Sequence, residues 1–101
     1  MVYKVKLSNR ALGDVNQTVD YLLRFWTMRE ASIFLDKLEQ LKNTISFDPT
    51  IFTLYDKAND IRKVVLTKHN IVYYKVDQKD KTVIIITIFN VFQNPEKLHV
   101  E

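Results

Sequence analysis

The side chains with the clearest chemical potential lie between positions 57 and 81, where seven lysines and arginines stand against three acidic residues. This excess of positive charge favours an anionic partner, either a nucleic acid or an acidic protein, although a merely solvated surface would carry it as well. Arg62 can hold a phosphate through two hydrogen bonds of its planar fork, unless it is paired with Asp56 or Asp60. The bases of this segment are Lys57, Arg62, Lys63, Lys68, Lys75, Lys79 and Lys81.

Three titratable or aromatic side chains accompany these cations. His69 falls in a polar segment that predicts a turn, so it is either a solvated turn residue or a general base. Tyr73 and Tyr74 are neighbours in a strand-like run, and successive side chains of a strand point to opposite faces. We therefore expect one ring in the core and the other on a surface, where it can stack on a base or pack against a partner.

Other classes of site find no support in the sequence. Two histidines thirty residues apart, in a chain without cysteine, form no metal signature, and we expect neither a metal nor a cofactor. Gly13 is the one glycine, which excludes a glycine-rich phosphate loop. Lys4 and Lys6 interrupt the first apolar residues, so no signal peptide is recognised, and no apolar run approaches the roughly 18 residues of a membrane span. We expect a cytoplasmic protein.

A single domain, residues 1–101, must position these side chains, because a chain of 101 residues leaves no room for a second core. Hydrophobic residues make up 47% and charged residues 27% of the sequence, which is typical of a globular protein rather than a disordered one. Residues 2–7 alternate with period two and predict a half-buried strand, after which Ser8 is a suitable helix N-cap.

Two consecutive helices follow this strand. Residues 12–26 carry apolar side chains at spacings of three and four, the stripe of an amphipathic helix, with Trp26 as its hydrophobic anchor against the next one. Thr27 and Glu30 form a capping box, which predicts that a second helix begins at once. Its apolar stripe continues to Ile45, and Pro49 ends it. Helices joined this closely form a hairpin.

Three strand-like runs come next, at residues 61–66, 71–76 and 82–89, after a segment near 48–60 that we interpret as a loop. The predicted fold class is α+β in the order β-α-α-β-β-β, with the helical hairpin packed on one face of a largely antiparallel four-stranded sheet. The other face should then be open and basic. Alternation sends Arg62, Val64 and Leu66 to one face and Lys63, Val65 and Thr67 to the other.

This order of elements, with the phrases "YKVKLSNRALGDVNQTVDYL", "IRKVVLTKHNIVYYKVD" and "NPEKL", resembles the RelE/ParE superfamily of toxins from bacterial type II toxin–antitoxin modules. The likeness runs from Tyr3 to Leu98. It implies a cognate antitoxin, usually acidic, whose extended segment wraps the toxin. It also implies one of two activities: RelE-like members cleave mRNA on the ribosome, whereas ParE-like members poison DNA gyrase.

The end of the last predicted strand bears on this choice. Many family members have the pattern H-x-R-R-x-P where this chain has Asn90, Val91, Phe92, Gln93, Asn94 and Pro95. An amide and a phenyl ring neither titrate near neutrality nor carry charge to a phosphate. The departure favours a ParE-like toxin that acts by binding DNA gyrase or another macromolecule, and argues against an enzyme. The alternatives are an mRNA endoribonuclease with a rebuilt catalytic set and a degenerate member without toxicity.

Each of these functions predicts its own set of site residues. The catalytic set of a ribonuclease would be Arg62, Lys63, His69 and Tyr73. The residues expected to contact a target are Arg62, Lys63, Lys68, Tyr74, Asn90 and Gln93. Antitoxin binding is expected at Val19, Phe25 and Ile33, on the outer side of the hairpin, together with a sheet edge that accepts an added strand.

Overall fold

The computed structural model describes residues 2–91. Its elements, in chain order, are β1 (Lys4–Leu7), α1 (Asn9–Phe25), α2 (Met28–Phe47), β2 (Thr53–Asp56), β3 (Ile61–Thr67), β4 (Asn70–Asp77) and β5 (Thr82–Asn90). The α+β class and the hairpin of two long helices are confirmed. Within residues 2–91 no helix is long and apolar enough to cross a bilayer.

The sheet of these residues has five strands rather than the predicted four, in the order β1-β5-β4-β3-β2. The extra strand is β2, inside the segment that we interpreted as a loop. It pairs with β3 at the edge of the sheet, and three of its four residues are exposed. Because an exposed edge strand buries neither face, it lacks the alternation that reveals a half-buried strand. β1 is parallel to β5, and the other pairs are antiparallel.

Side-chain caps set the starts of both helices. The Ser8 hydroxyl accepts a hydrogen bond from the backbone N–H of Ala11 (3.0 Å), and the Thr27 hydroxyl accepts one from that of Glu30 (3.3 Å). Each cap satisfies a backbone donor that has no partner inside the helix. α2 ends when the backbone N–H of Asp48 reaches the carbonyl of Thr44, directly before Pro49. The hairpin geometry therefore follows from local sequence signals.

The core lies between the hairpin and one face of the sheet. From α2, five of the six apolar side chains in the predicted stripe are buried, with Phe34 and Ile45 essentially inaccessible, whereas Leu35 is 40% exposed because it lies off the face that meets the sheet. From the sheet, every second residue joins them, and removing such a side chain from water contributes about 1.5–3 kcal/mol. The sheet residues of this cluster are Leu66, Val72, Tyr74, Val76, Val83, Ile85 and Ile88.

A carboxylate closes the open edge of β5. β1 stops at Leu7, so the second half of β5 has no neighbouring strand on that side. There the Asp14 carboxylate of α1 accepts hydrogen bonds from the backbone N–H of Ile88 (2.9 Å) and from the hydroxyl of Thr87 (2.6 Å). The Ser8 hydroxyl donates to the carbonyl of Ile86 (2.6 Å). α1 thus satisfies an edge that would otherwise offer itself for pairing.

Candidate functional site

The face of the sheet that points away from the helices carries a group of exposed lysines, which we call the lysine face: Lys4, Lys6, Lys63 and Lys75. The strand register places them. Lys6 of β1 is paired with Ile84 of β5, and Ile84 is paired with Lys75 of β4. Paired residues lie side by side on one face, and two strand spacings separate the backbones of Lys6 and Lys75 by about 10 Å. Two acids lie at the margins of this face: Asp77 in the row of Lys4, and Asp56, which pairs with Ile61 in the row of Lys75.

Apolar and aromatic side chains lie among these lysines. Val65 is 68% exposed and Ile84 38% exposed, which is unusual for β-branched side chains in a sheet. The rings of Tyr55 and Tyr73 meet edge to face with centroids 4.9 Å apart, and the ammonium of Lys63 lies 5.8 Å from the centre of the Tyr55 ring. The face therefore combines positive charge with apolar contact area.

Tyr73 belongs to this face, but it is buried in it. Its side chain is 5% exposed. Burial raises the pKa of the phenol above its ordinary value, and the neighbouring Tyr55 raises that pKa further. The Tyr73 hydroxyl is consequently protonated at neutral pH. Tyr73 and Lys63 are register partners across β3 and β4, so these two predicted site residues lie side by side.

Arg62 lies on the other face of the sheet, where it forms hydrogen bonds with backbone atoms of the same chain. Its guanidinium donates from one terminal nitrogen to the carbonyls of Thr50 (3.2 Å) and Phe52 (2.9 Å), and its Nε lies 3.4 Å from a carboxylate oxygen of Asp60. The side chain is only 13% exposed. The pairing with Asp60, which the sequence left as an alternative, is present, and in this conformation Arg62 shares no surface with Lys63.

Tyr74, which we expected to contact a target, is fully buried on the helix side of the sheet. Its hydroxyl donates a hydrogen bond to the carbonyl of Pro49 (2.7 Å). Desolvation raises the pKa of Tyr74 to about 12, so the phenol stays neutral. This corrects the expectation that one of the two adjacent tyrosines is on a surface: both rings are covered, one on each side of the sheet.

A cavity of about 460 Å³ lies between the corner of the helical hairpin and the turn that joins β3 to β4. Lys68, His69 and Asn90 line it, so three of the predicted site residues meet there. The rings of His69 and Trp26 approach with centroids 6.3 Å apart. Asn90 is 7% exposed and is paired in register with Asn70. Gln93 lies outside the described residues, as do Phe92 and His99.

The three residues expected to bind an antitoxin differ in accessibility. Phe25 is 67% exposed at the end of α1, and its ring lies 5.2 Å from that of Tyr21. Val19 is half-buried and packs against the core cluster. Ile33 is half-buried and lines the cavity. Phe25 is thus the one of the three that presents most of its surface to a partner.

Sequence reasoning missed four contributors to these surfaces. The alternation of the first strand places Lys4 and Lys6 on one face. Their proximity to Lys75, however, depends on the parallel pairing of β1 with β5. Tyr55 was missed because its strand was taken for a loop. Trp26 was expected to be a buried anchor, and it is 49% exposed. Among residues 2–91, no group of three or more histidine, aspartate or glutamate side chains is placed to hold a metal.

Comparison with known proteins identifies the family. Residues 5–94 match the model of the ParE toxin of the type II toxin–antitoxin system parDE. The chain belongs to the ParE toxin family. No curated protein sequence matches it. Solved structures of low sequence identity share the arrangement of the helical hairpin over a mostly antiparallel sheet.

Three of these structures illustrate the shared fold of this ParE-family chain. A chromosomal ParDE system from P. aeruginosa has 12% identity and a TM-score of 0.71, over 88% of this chain and 96% of that one. A RelE mutant from E. coli in the free state has 16% identity and a TM-score of 0.63, over 94% and 90%. A RelBE toxin–antitoxin complex from Mycobacterium tuberculosis has 15% identity and a TM-score of 0.61, over 89% and 92%. Because ParE and RelE structures both match, the fold does not distinguish the two activities.

Proposed function

We propose that this ParE-family toxin acts by binding an acidic surface of a macromolecular target in the cytoplasm, DNA gyrase or another protein, through the lysine face. The observation that carries the proposal is the composition of that face: exposed lysines interspersed with exposed Val65 and Ile84. Lysine charge attracts and orients an acidic partner, while apolar area that leaves water on contact supplies affinity. The face has the properties of a binding surface.

RNA cleavage requires different functional groups from those of a protein-binding surface. The 2′-hydroxyl attacks the adjacent phosphate, which requires a cation on the phosphate and a side chain that moves a proton. Arg62 is bound to backbone carbonyls on the opposite side of the sheet, and Tyr73 is only 5% exposed, so little of its side chain is open to a substrate. His69 lies beyond the end of β3, in the cavity rather than on the lysine face. These placements favour the binding activity over the ribonuclease activity.

The test is a pair of charge-matched double variants expressed in a bacterial host. Lys63→Gln with Lys75→Gln removes two charges from the lysine face, and Lys57→Gln with Lys79→Gln removes two charges from exposed turns. We expect the first pair to relieve growth inhibition and to weaken gyrase capture, and the second pair to retain both. DNA, RNA and protein synthesis are followed separately after induction. Early translation arrest with cuts in ribosome-bound mRNA would overturn the proposal, as would equal toxicity of the two variants.

We further propose that a cognate antitoxin covers the apolar end of α1. Phe25 and Leu23 are 67% and 51% exposed there, and Met28, at the start of α2, is 75% exposed. Large apolar side chains left exposed at one end of a helical hairpin are a common mark of a protein interface. The open edge of β2 offers backbone groups to an added strand. The excess of basic residues in the sequence then favours an acidic antitoxin, which associates faster at low salt.

Antitoxin binding can be tested with alanine variants of two phenylalanines that have similar exposure, one as the test and one as its control. Phe25→Ala should weaken antitoxin binding by at least about tenfold, as expected for an aromatic anchor near the middle of an interface. Phe47→Ala, 64% exposed at the far end of α2, should leave the affinity unchanged. Both affinities are measured by calorimetry with the purified product of the neighbouring gene. An association rate that does not fall with added salt would contradict the acidic character of the partner.

A further inference from the structure

The cavity at the hairpin corner has two chemically different sides. Its outer wall is apolar and comes from the helices, with Leu22, Ile33 and Phe34 as main contributors. Its rim holds cations from two separate elements, Lys37 of α2 and Lys68 of the turn after β3. Its volume of about 460 Å³ falls in the range of small-molecule sites, roughly 300–1,000 Å³. An occupant must therefore be compact and largely apolar.

Among residues 2–91, no acidic side chain forms an ion pair with the two lysines of the rim. Within residues 2–91 neither Lys37 nor Lys68 has a carboxylate within 4.0 Å, although Glu30 lines the same cavity. Two exposed lysine side chains that line a mainly apolar space from different elements favour an anionic ligand, because both attract a negative charge placed between them.

The floor of the cavity contains an amide with a spare donor. Asn70 is 4% exposed, and its carbonyl oxygen accepts a hydrogen bond from the Thr67 hydroxyl (2.7 Å). Its Nδ2 is buried and has no acceptor among the described residues. A buried donor without an acceptor is uncommon in native proteins and costs free energy that an incoming oxygen would recover. Because this nitrogen has almost no accessible surface, a ligand in the cavity could accept from it only if the Asn70 side chain rotates.

We propose that this cavity binds a small carboxylic acid with an aromatic or branched apolar body. The apolar body packs against the helical wall, and the carboxylate meets Lys37 and Lys68, with the Asn70 amide as a further donor. The enclosure and the rim charges together favour the free acid. The proposal is independent of toxicity and of the target.

Trp26 provides the readout. It is the one tryptophan of the chain and it lines the cavity, so its fluorescence reports occupancy without a label. Phenylacetate is the probe, phenylacetamide is its neutral isostere, and acetate lacks the apolar body. We expect saturable fluorescence change with phenylacetate in the millimolar range or below, affinity at least about fivefold weaker for phenylacetamide, and no saturation with acetate.

Charge-matched variants locate the site. Lys37→Gln with Lys68→Gln should weaken phenylacetate binding about fivefold or more, since two partly exposed ion pairs are removed. Lys57→Gln with Lys79→Gln, outside the cavity, should retain it. Asn70→Asp keeps an oxygen that can accept from the Thr67 hydroxyl but replaces the NH2 donor by a carboxylate oxygen. This variant should not bind phenylacetate. Circular dichroism checks that it is folded. The amide signals of the Asn70 side chain should shift on titration of the native protein.

Three results would overturn the proposal. The first is the absence of saturable change at millimolar phenylacetate. The second is equal affinity for phenylacetate and phenylacetamide. The third is equal affinity of the two lysine double variants for phenylacetate, which would place the probe elsewhere on the protein.

Discussion

Replacing Arg62 by alanine separates a structural role from a role in target contact. The side chain is 13% exposed, it donates to the carbonyls of Thr50 and Phe52, and it lies beside the Asp60 carboxylate. Removing it leaves a partly buried carboxylate without its cation, which costs about 3–5 kcal/mol for a fully buried pair. Because the Asp60 side chain is 30% exposed and water can reach it, we expect the lower end, about 3 kcal/mol.

This loss is large for a small domain. A chain of this length has a free energy of unfolding of about 5–15 kcal/mol, and 1 kcal/mol shifts its melting temperature by roughly 4–8 °C. Arg62→Ala should therefore melt about 12–24 °C below the native protein when followed by circular dichroism. Urea titration should show a lower midpoint with an unchanged slope.

Lys63→Ala is the matched control, because it removes the neighbouring cation from the opposite face of the same strand. Lys63 is exposed and has no ion pair within residues 2–91, so we expect a change within about 0.5 kcal/mol. Lys63→Ala should instead reduce toxicity. If Arg62→Ala unfolds like the native protein yet loses toxicity, Arg62 contacts the target and the structural reasoning is refuted.

Two further predictions concern buried polar groups. The pKa of Tyr74 is raised to about 12 from an unfolded value near 10, so its contribution to stability is complete below pH 10 and is lost as the pH rises to 12. Between pH 10 and pH 12 the free energy of unfolding, measured by urea titration, should fall by about 2–3 kcal/mol more for the native protein than for Tyr74→Phe. An equal fall in both proteins would contradict the raised pKa of Tyr74. Asp14→Ala should cost about 1–3 kcal/mol because the backbone N–H of Ile88 loses its acceptor at the sheet edge. Asp20→Ala, which removes an exposed ion pair of the same helix, should cost under about 0.5 kcal/mol, and equal melting temperatures of the two variants would refute the edge role.

Local signals in the sequence determined the helices and most of the strands. Ser8 and Thr27 start the two helices through hydrogen bonds to backbone N–H groups three residues on, and Pro49, which has no N–H, follows the end of α2. These signals are local, so they can be recognised without knowledge of the rest of the chain. Likewise, alternation assigned Arg62 and Lys63 to opposite faces, because the direction of a strand side chain depends only on its position in the pleat.

The tertiary structure decided which surfaces these side chains share. Lys6 and Lys75 are far apart in the chain and become neighbours because β1 joins β5 in parallel, a pairing that depends on where the hairpin returns the chain. The burial of both Tyr73 and Tyr74 also depends on packing from each side of the sheet, which alternation cannot report. Periodicity specifies the direction of a side chain, whereas its surroundings are set by contacts between residues that are distant in sequence.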